Sequence, residues 1–292
     1  MYRLICFYII CVIIAAPAIA VAANSKGTIN IFVSILPQKY LLERIGGNRV
    51  NVSVMVKPGL SPETYEPTPR QMAALNDARL YFRIGVPFES VWIKRIRALN
   101  PQLKIIECCG ELYVSDPADH DHSGFDTKFS GDAHVWTSPK NAIVLAGIIK
   151  SALAEYDPEA SEYYSANYTV LVNDLDSLDA FIRKELADIS NPYFIVSHPA
   201  WGHYAEAYGL EQISIERHGA EVRAKELSRL VEFARKWNIH TVYVQKQFNT
   251  GSAKTLAREI NGKIVELDPL AEDYLNNLRY VTRAIAEGAR QK

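Results

Sequence analysis

The apolar positions of this chain form short β-branched runs that alternate with longer segments of helical spacing. Runs such as Ile29–Val33 and Leu80–Ile84 predict buried strands, whereas segments such as Gln38–Ile45 and Glu89–Leu99 predict amphipathic helices. This alternation is typical of βαβ units, whose strands form a mostly parallel sheet. The same lobe is predicted to contain two more strands and one more helix, at Val50–Val56, Lys104–Ile106 and Thr68–Ala78.

The second part of the chain repeats the pattern after a long helical stretch. Pro139–Glu155 and then Pro158–Asp188 have helical spacing, and about 30 residues of unbroken helix would span about 45 Å. Strands are predicted beyond it at Tyr193–Val196, Gln212–Ile215, Thr241–Val244 and Lys263–Glu266. We therefore predict an α/β protein of two lobes, each a mostly parallel sheet flanked by helices, joined by one long rigid helix. The predicted boundaries are 24–157 for the N-terminal lobe, 158–188 for the linking helix and 189–292 for the C-terminal lobe.

The first residues have the pattern of an export signal. Arg3 is followed by an apolar run, Leu4–Ile14, and then by the small residues of Ala15–Ala23, which offer A-x-A cleavage sites. Residues 1–23 are therefore predicted to be a cleaved signal peptide, and the mature protein is expected in the periplasm. A lipid anchor at Cys11 is not expected, because an isoleucine precedes that cysteine.

The charge balance bears on which partners the chain can bind, and the cysteine positions bear on whether it contains a disulfide. The chain has 32 basic and 33 acidic residues, so its balance is near neutral and gives no support for nucleic acid binding. We expect a monomer. Cys108 and Cys109 are adjacent, and two buried or reduced thiols are expected in preference to a strained disulfide between neighbours.

Four polar residues follow predicted strands or rigid turns, where ligands of open α/β sheets gather. They are Glu63, His134, His198 and Asp268. Each has a plainer interpretation when taken alone: a solvated loop acid for Glu63, a capped core histidine for His134, and strand-end caps for the other two. Together, two neutral imidazoles and two carboxylates from both lobes would balance one divalent cation.

Four segments in this order make the chain similar to a known family. SPETYEPTP at 61–69, DAHVWTSP at 132–139, SHPAWGHYA at 197–205 and LDPL at 267–270 resemble the extracytoplasmic zinc and manganese receptors of ABC importers. The resemblance covers essentially the whole mature chain. It implies two metal-binding lobes joined by a rigid helix, and a protein that delivers a metal ion to a membrane permease and is not an enzyme.

The resemblance also implies a ligand set. His134, His198 and Asp268 fall on three of the family's four metal-ligand positions, while Glu63 stands where the family usually has histidine. Glu66, His203 or a water remain alternatives at that position. The transported ligand is expected to be one divalent transition metal ion, Zn²⁺ in preference to Mn²⁺, bound more weakly as the pH falls through the histidine range.

Further residues of the resemblance leave alternatives open. His120 and His122, in the polar loop 114–130, are similar to a shortened His-rich loop of zinc-importing members, although a plain loop is the preferred interpretation of two histidines. Residues 245–247 read Gln-Lys-Gln where a glutamate and a proline are expected. Two other functions remain possible for such a chain, a metal-dependent hydrolase and a surface adhesin of the same fold. The chain lacks the H-E-x-x-H motif of many zinc hydrolases.

Overall fold

The computed structural model describes residues 27–110, 112, 132–217 and 220–290. The predicted signal peptide 1–23 and the two histidines His120 and His122 lie outside the described residues. Within the described part of the chain, no helix is both long and apolar enough to cross a membrane.

The first lobe is built on a four-stranded parallel sheet. Its central strand, β1, pairs with a neighbour on each side, so that Ile31 lies opposite Val52 and Leu80. The sheet order is β2-β1-β3-β4, and all pairs are parallel. The elements are β1 (Ile29–Val33), α1 (Leu36–Gly46), β2 (Val50–Val54), α2 (Pro69–Leu75), β3 (Leu80–Arg83), α3 (Pro87–Leu99) and β4 (Lys104–Glu107).

Two antiparallel helices follow the first sheet. After a 3-10 turn at Val135–Thr137 come α4 (Pro139–Tyr156) and α5 (Ser161–Leu186). The linking helix was predicted to begin at Pro158. Pro158–Ala160 instead form a separate 3-10 turn, and the α-helix starts at Ser161. The 26 residues of α5 span about 39 Å. This helix packs against α1 and α4 and against the C-terminal helix α9.

The second lobe repeats the architecture of the first. Its parallel sheet has the order β10-β9-β5-β6, and a short antiparallel hairpin, β7–β8, lies outside it. The elements are β5 (Tyr193–Val196), α6 (Gly202–Tyr208), β6 (Glu211–Ser214), β7 (Glu216–Arg217), β8 (Ala220–Glu221), α7 (Ala224–Lys236), β9 (Thr241–Val244), α8 (Gly251–Glu259), β10 (Lys263–Glu266) and α9 (Tyr274–Arg290). The predicted fold class is confirmed, whereas the lobe boundaries at 157, 188 and 189 stay a prediction.

Buried apolar side chains continue from one lobe into the other. The larger core runs from the first sheet through Leu171 and Leu178 of α5 to Trp201 and Tyr274 of the second lobe. A smaller core fills the outer side of the second sheet. Since the lobes share a core, their relative position is fixed by packing as well as by the chain connection.

The adjacent cysteines directly follow β4 and lie in the larger core. Cys108 and Cys109 are both free and buried, as expected from the sequence. Burial raises the pKa of the Cys109 thiol to about 12, so the thiol stays protonated at neutral pH.

Candidate metal centre

His198 lies just beyond the carboxyl end of β5 and is almost fully buried, with 4% of its surface exposed. The backbone there is still held by the sheet, because Ser197 N donates to Tyr243 O at 2.8 Å. The ring of Phe248 stacks on the imidazole, with centroids 4.0 Å apart and planes 11° apart. The strand end and the stacked ring together fix where the two nitrogens of His198 point.

Each ring nitrogen of His198 faces a carboxylate. Nε2 lies 3.0 Å from Glu63 Oε1, and Nδ1 lies 2.9 Å from Glu216 Oε2. Glu63 belongs to the first lobe and Glu216 to the hairpin of the second, so the cluster spans both lobes. Among the described residues these three form the one set of His, Cys, Asp or Glu donors whose atoms lie within 4.8 Å of one another.

The loop that holds Glu63 is fixed at both of its ends. Phe88 N, at the start of α3, donates to Pro62 O at 3.3 Å, and the Phe88 ring meets Tyr65 edge to face. Farther along, Thr68 and Gln71 form a capping box that starts α2. The loop therefore delivers Glu63 to the lobe interface from a rigid base.

The charges of this cluster depend on one another. Burial by itself lowers the pKa of His198, but the hydrogen bonds to Glu216 and Glu63 and the charges of both carboxylates raise it to about 9. The hydrogen bond to His198 lowers the pKa of Glu63, against the opposing effect of burial. At neutral pH the His198 imidazole is therefore positively charged, with a proton on each ring nitrogen facing a carboxylate. A cation that binds Nε2 has to displace that proton.

His134 approaches His198 from the first lobe. The two imidazole rings lie with centroids 5.5 Å apart and planes 74° apart. Asp132 Oδ1 accepts from His134 N at 2.9 Å and lies 2.7 Å from His134 Nδ1. Burial acts to raise the pKa of Asp132, but the neighbouring His134 and the more distant His203 lower it, so the carboxylate stays ionised.

Asp268 follows β10 and lies on a loop that is tied to the His134 turn. Its Oδ1 accepts from Leu270 N at 2.9 Å and from Gln247 Nε2 at 3.4 Å. In the same loop, Pro269 O accepts from Trp136 Nε1 at 2.7 Å. Asp268 and His134 are not members of the 4.8 Å set around His198. The structure thus brings Glu63, His134 and His198 together, and links Asp268 to them through Trp136.

The alternative ligands considered for the first position are engaged or placed elsewhere. Glu66 is exposed on the loop. His203 Nε2 lies 3.1 Å from Asp132 O and its Nδ1 lies 3.4 Å from Asn141 Nδ2, so this histidine connects α6 to the first lobe.

Sequence reasoning missed two carboxylates that contact the imidazoles, Asp132 and Glu216. Asp132 was within reach, since it stands two residues before His134 in the quoted segment at 132–139. No sequence pattern marks Glu216 as a partner of His198. The hairpin that carries it has strands of two residues each, which are too short to show apolar periodicity.

Two parallel-sheet lobes that bring imidazoles and a carboxylate together at their interface define a two-lobed metal-binding receptor. A family model described as zinc-uptake complex component A, periplasmic (ZnuA), matches residues 31–288. The chain belongs to this ZnuA family, and the resemblance seen in its sequence segments is confirmed.

Individual relatives agree in sequence and in fold. A putative metal-binding protein of Chlamydia trachomatis serovar D is 31% identical over 259 residues, covering 88% of this chain and 90% of the relative. The zinc-binding protein AdcA of Streptococcus pyogenes serotype M6 is 27% identical over 264 residues, which are 84% of this chain but 51% of AdcA. The crystal structure of ZnuA superposes with a TM-score of 0.83 at 37% identity, covering 90% of this chain and 99% of that one.

Proposed function

We propose that this protein captures one divalent transition metal ion, Zn²⁺ in preference to Mn²⁺, between its lobes and delivers it to the membrane permease of an ABC importer. Glu63 and His134 bind the ion from the first lobe, and His198 and Asp268 bind it from the second. The observation that carries the proposal is the meeting of groups from both lobes: His198 lies 3.0 Å from Glu63 and its ring centroid lies 5.5 Å from that of His134.

The donor set suits a divalent cation. Glu63 and His198 already form a charge-assisted pair, and the cation replaces the proton that this pair shares. With both imidazoles neutral and both carboxylates ionised, the four proposed ligands together balance the charge of a divalent ion. Imidazole ligands suit zinc, and raw affinity favours zinc over manganese at sites of this kind.

The comparisons support zinc and transport over the two other functions considered. The family is described as part of a zinc-uptake complex, and the AdcA relative is called a zinc-binding protein. A zinc-bound crystal structure of a ZnuA deletion mutant is 36% identical to this chain, with a TM-score of 0.83 over 91% of it. The hydrolase alternative gains no comparable observation. Structures of laminin-binding proteins from Streptococcus agalactiae and Streptococcus pyogenes, each 20% identical to this chain, share its fold alone and do not favour the adhesin alternative.

Calorimetric titration of metal-stripped protein with Zn²⁺ and then Mn²⁺ tests the proposal. We expect one tight zinc site per chain, and we expect Glu63→Ala and His198→Ala each to weaken it by at least tenfold. Glu66→Ala is the matched control, because Glu66 belongs to the same loop but is exposed. Wild-type affinity in both site variants would overturn the proposed site, and wild-type protein that binds neither metal would overturn the proposed function.

A further inference from the structure

The two imidazoles of the proposed site, His134 and His198, share one arrangement. In each ring, Nδ1 lies within hydrogen-bonding distance of a carboxylate oxygen. Asp132 Oδ1 lies 2.7 Å from His134 Nδ1, and Glu216 Oε2 lies 2.9 Å from His198 Nδ1. The two carboxylates come from different lobes and from unrelated local structures. Each nevertheless leaves Nε2 of its histidine as the nitrogen that can bind a metal ion.

The geometry argues against Glu216 as a metal ligand, although it belongs to the cluster of close donors. A zinc-bound imidazole nitrogen lies about 2.0–2.1 Å from the ion. An ion placed between Glu63 and His198 occupies the Nε2 side of the ring, where Glu63 lies 3.0 Å away. Glu216 Oε2 lies 2.9 Å from the other nitrogen, so this oxygen is already engaged as the acceptor for Nδ1–H. Phe248, stacked at 4.0 Å, packs against one face of that ring.

We propose that Asp132 and Glu216 are positioning residues that accept the Nδ1–H of His134 and His198 and thereby present both Nε2 atoms to the transported ion. The inference rests on the proposed function, since it assumes that these imidazoles are ligands. An accepted Nδ1–H fixes the tautomer and the ring orientation and makes Nε2 a better donor.

Both carboxylates are themselves held in place. Asp132 Oδ1 also accepts from the backbone N of His134, and only 7% of the Asp132 side chain is exposed. A Cβ at Gly202 would lie 2.6 Å from Asp132 Oδ2, so the glycine at the start of α6 leaves room for this carboxylate. Glu216 N donates to Ser197 O at 3.0 Å, which ties the hairpin to the residue preceding His198.

The inference predicts a graded loss of metal affinity. Removing the outer partner of a ligating histidine costs 10- to 100-fold in metal affinity. We therefore expect Glu216→Ala and Asp132→Ala to weaken Zn²⁺ binding by about that factor. Glu216→Gln keeps a neutral oxygen that can accept Nδ1–H, so it should recover part of the loss. Glu206→Gln, an exposed carboxylate of the same lobe, is the matched control and should bind zinc as the wild type does.

Cadmium NMR separates a positioning role from a merely structural one. With ¹¹³Cd²⁺ bound to protein labelled with ¹⁵N at histidine, we expect cadmium coupling to Nε2 of His134 and His198 and none to Nδ1. In Glu216→Ala the His198 coupling should weaken or move to Nδ1, while the His134 coupling remains. Coupling to Nδ1 in the wild type, or wild-type zinc affinity in Glu216→Ala and Asp132→Ala, would overturn the inference. Wild-type protein that binds neither metal would instead overturn the proposed function.

Discussion

Glu63 stands at the position where the resemblance seen in the sequence implies a histidine. Its carboxylate is held 3.0 Å from His198 by a loop that is fixed at Pro62 and at Thr68. A carboxylate adds negative charge and a harder donor than imidazole, which favours manganese relative to a site with three histidines. As a ligand of the proposed site, Glu63 would therefore affect which metal the site prefers.

Glu63→His should make the protein more selective for zinc. The change removes a hard oxygen donor and its charge, so we expect the ratio of zinc to manganese affinity to rise by roughly tenfold, or about 1.4 kcal/mol. Competition titration with both ions against a chromophoric chelator measures the ratio. Glu66→His, at an exposed position of the same loop, should leave it unchanged. An unchanged ratio in Glu63→His would mean that residue 63 does not touch the ion.

The sequence was sufficient to find the two histidines, and Asp132 lies close enough in sequence to His134 to be considered with it, but Glu216 could not be predicted. His134 and His198 each stand beside a proline-marked turn that follows an apolar strand or precedes a helix, and such ends are visible as pattern. Asp132 and Glu216 contact them through folded geometry, across 2 and 18 residues of chain. Such contacts depend on the conformation of the loops, which produces no periodic pattern of apolar residues in the sequence.

At the scale of elements, buried parallel strands were the most predictable part of the fold. β1, β5 and β9 begin and end at the residues expected from their apolar runs, and so does β10, although it is a more exposed edge strand. Strands buried on both faces have continuous apolar runs with clear ends. Helix ends were less certain: α2 was expected to reach Ala78 but ends at Leu75. Its last turn continues as turn hydrogen bonds through Asn76 to Ala78.

Two glycines in long helices should respond to alanine with opposite signs. A Cβ at Gly147 in α4 would meet only Tyr168 Oη, at an ordinary 3.7 Å, so Gly147→Ala should stabilise the fold by about 0.5–1 kcal/mol. A Cβ at Gly288 in α9 would overlap the hydroxyl of the buried Tyr243, so Gly288→Ala should destabilise by about 1–3 kcal/mol. Urea unfolding gives both values, and equal signs would contradict the packing described here.

The contact between α5 and α6 should weaken in acid. Burial acts to raise the pKa of Asp179, but hydrogen bonds from Arg183 and Tyr208 lower it overall. Its folded pKa lies below the unfolded value of about 3.9, so its contribution is complete above that pH and is lost as the pH falls through the folded pKa. Asp179→Asn should therefore reduce the free energy of unfolding at pH 7 and have a smaller effect near pH 3.

Urea unfolding at the two pH values tests this, with Asp176→Asn as the matched control. Asp176 belongs to the same helix but is exposed, so its substitution should change stability little at either pH. An effect of Asp179→Asn that is as large near pH 3 as at pH 7 would show that the carboxylate charge is not what connects the helices.

At the scale of the whole molecule, the lobes are joined by more than the chain. Trp136 Nε1 donates to Pro269 O at 2.7 Å, and Tyr274 Oη donates to Trp136 O at 2.6 Å, both in buried surroundings. Lys39 and Glu272 form an ion pair across the same interface. The long α5 contacts helices of both lobes. These contacts position the His134 turn against the Asp268 loop.

Such an interface should allow only a small movement when the metal binds. A wide hinge opening would break the buried Trp136 hydrogen bonds and separate a shared core, whereas local movement of the Glu63 loop would break neither. Spin labels placed by Val91→Cys on α3 and Lys254→Cys on α8 report the distance between the lobes, and buried Cys108 and Cys109 are shielded from the label. Zinc should change the distance by less than about 2 Å, the size of a shift between packed helices.

Trp136→Phe removes the hydrogen bond from Trp136 Nε1 to Pro269 O. It should broaden the distribution of distances between the labels in the metal-free protein, and zinc should narrow that distribution again. A large change in the unsubstituted interface on zinc binding would mean that the lobes open as a hinge.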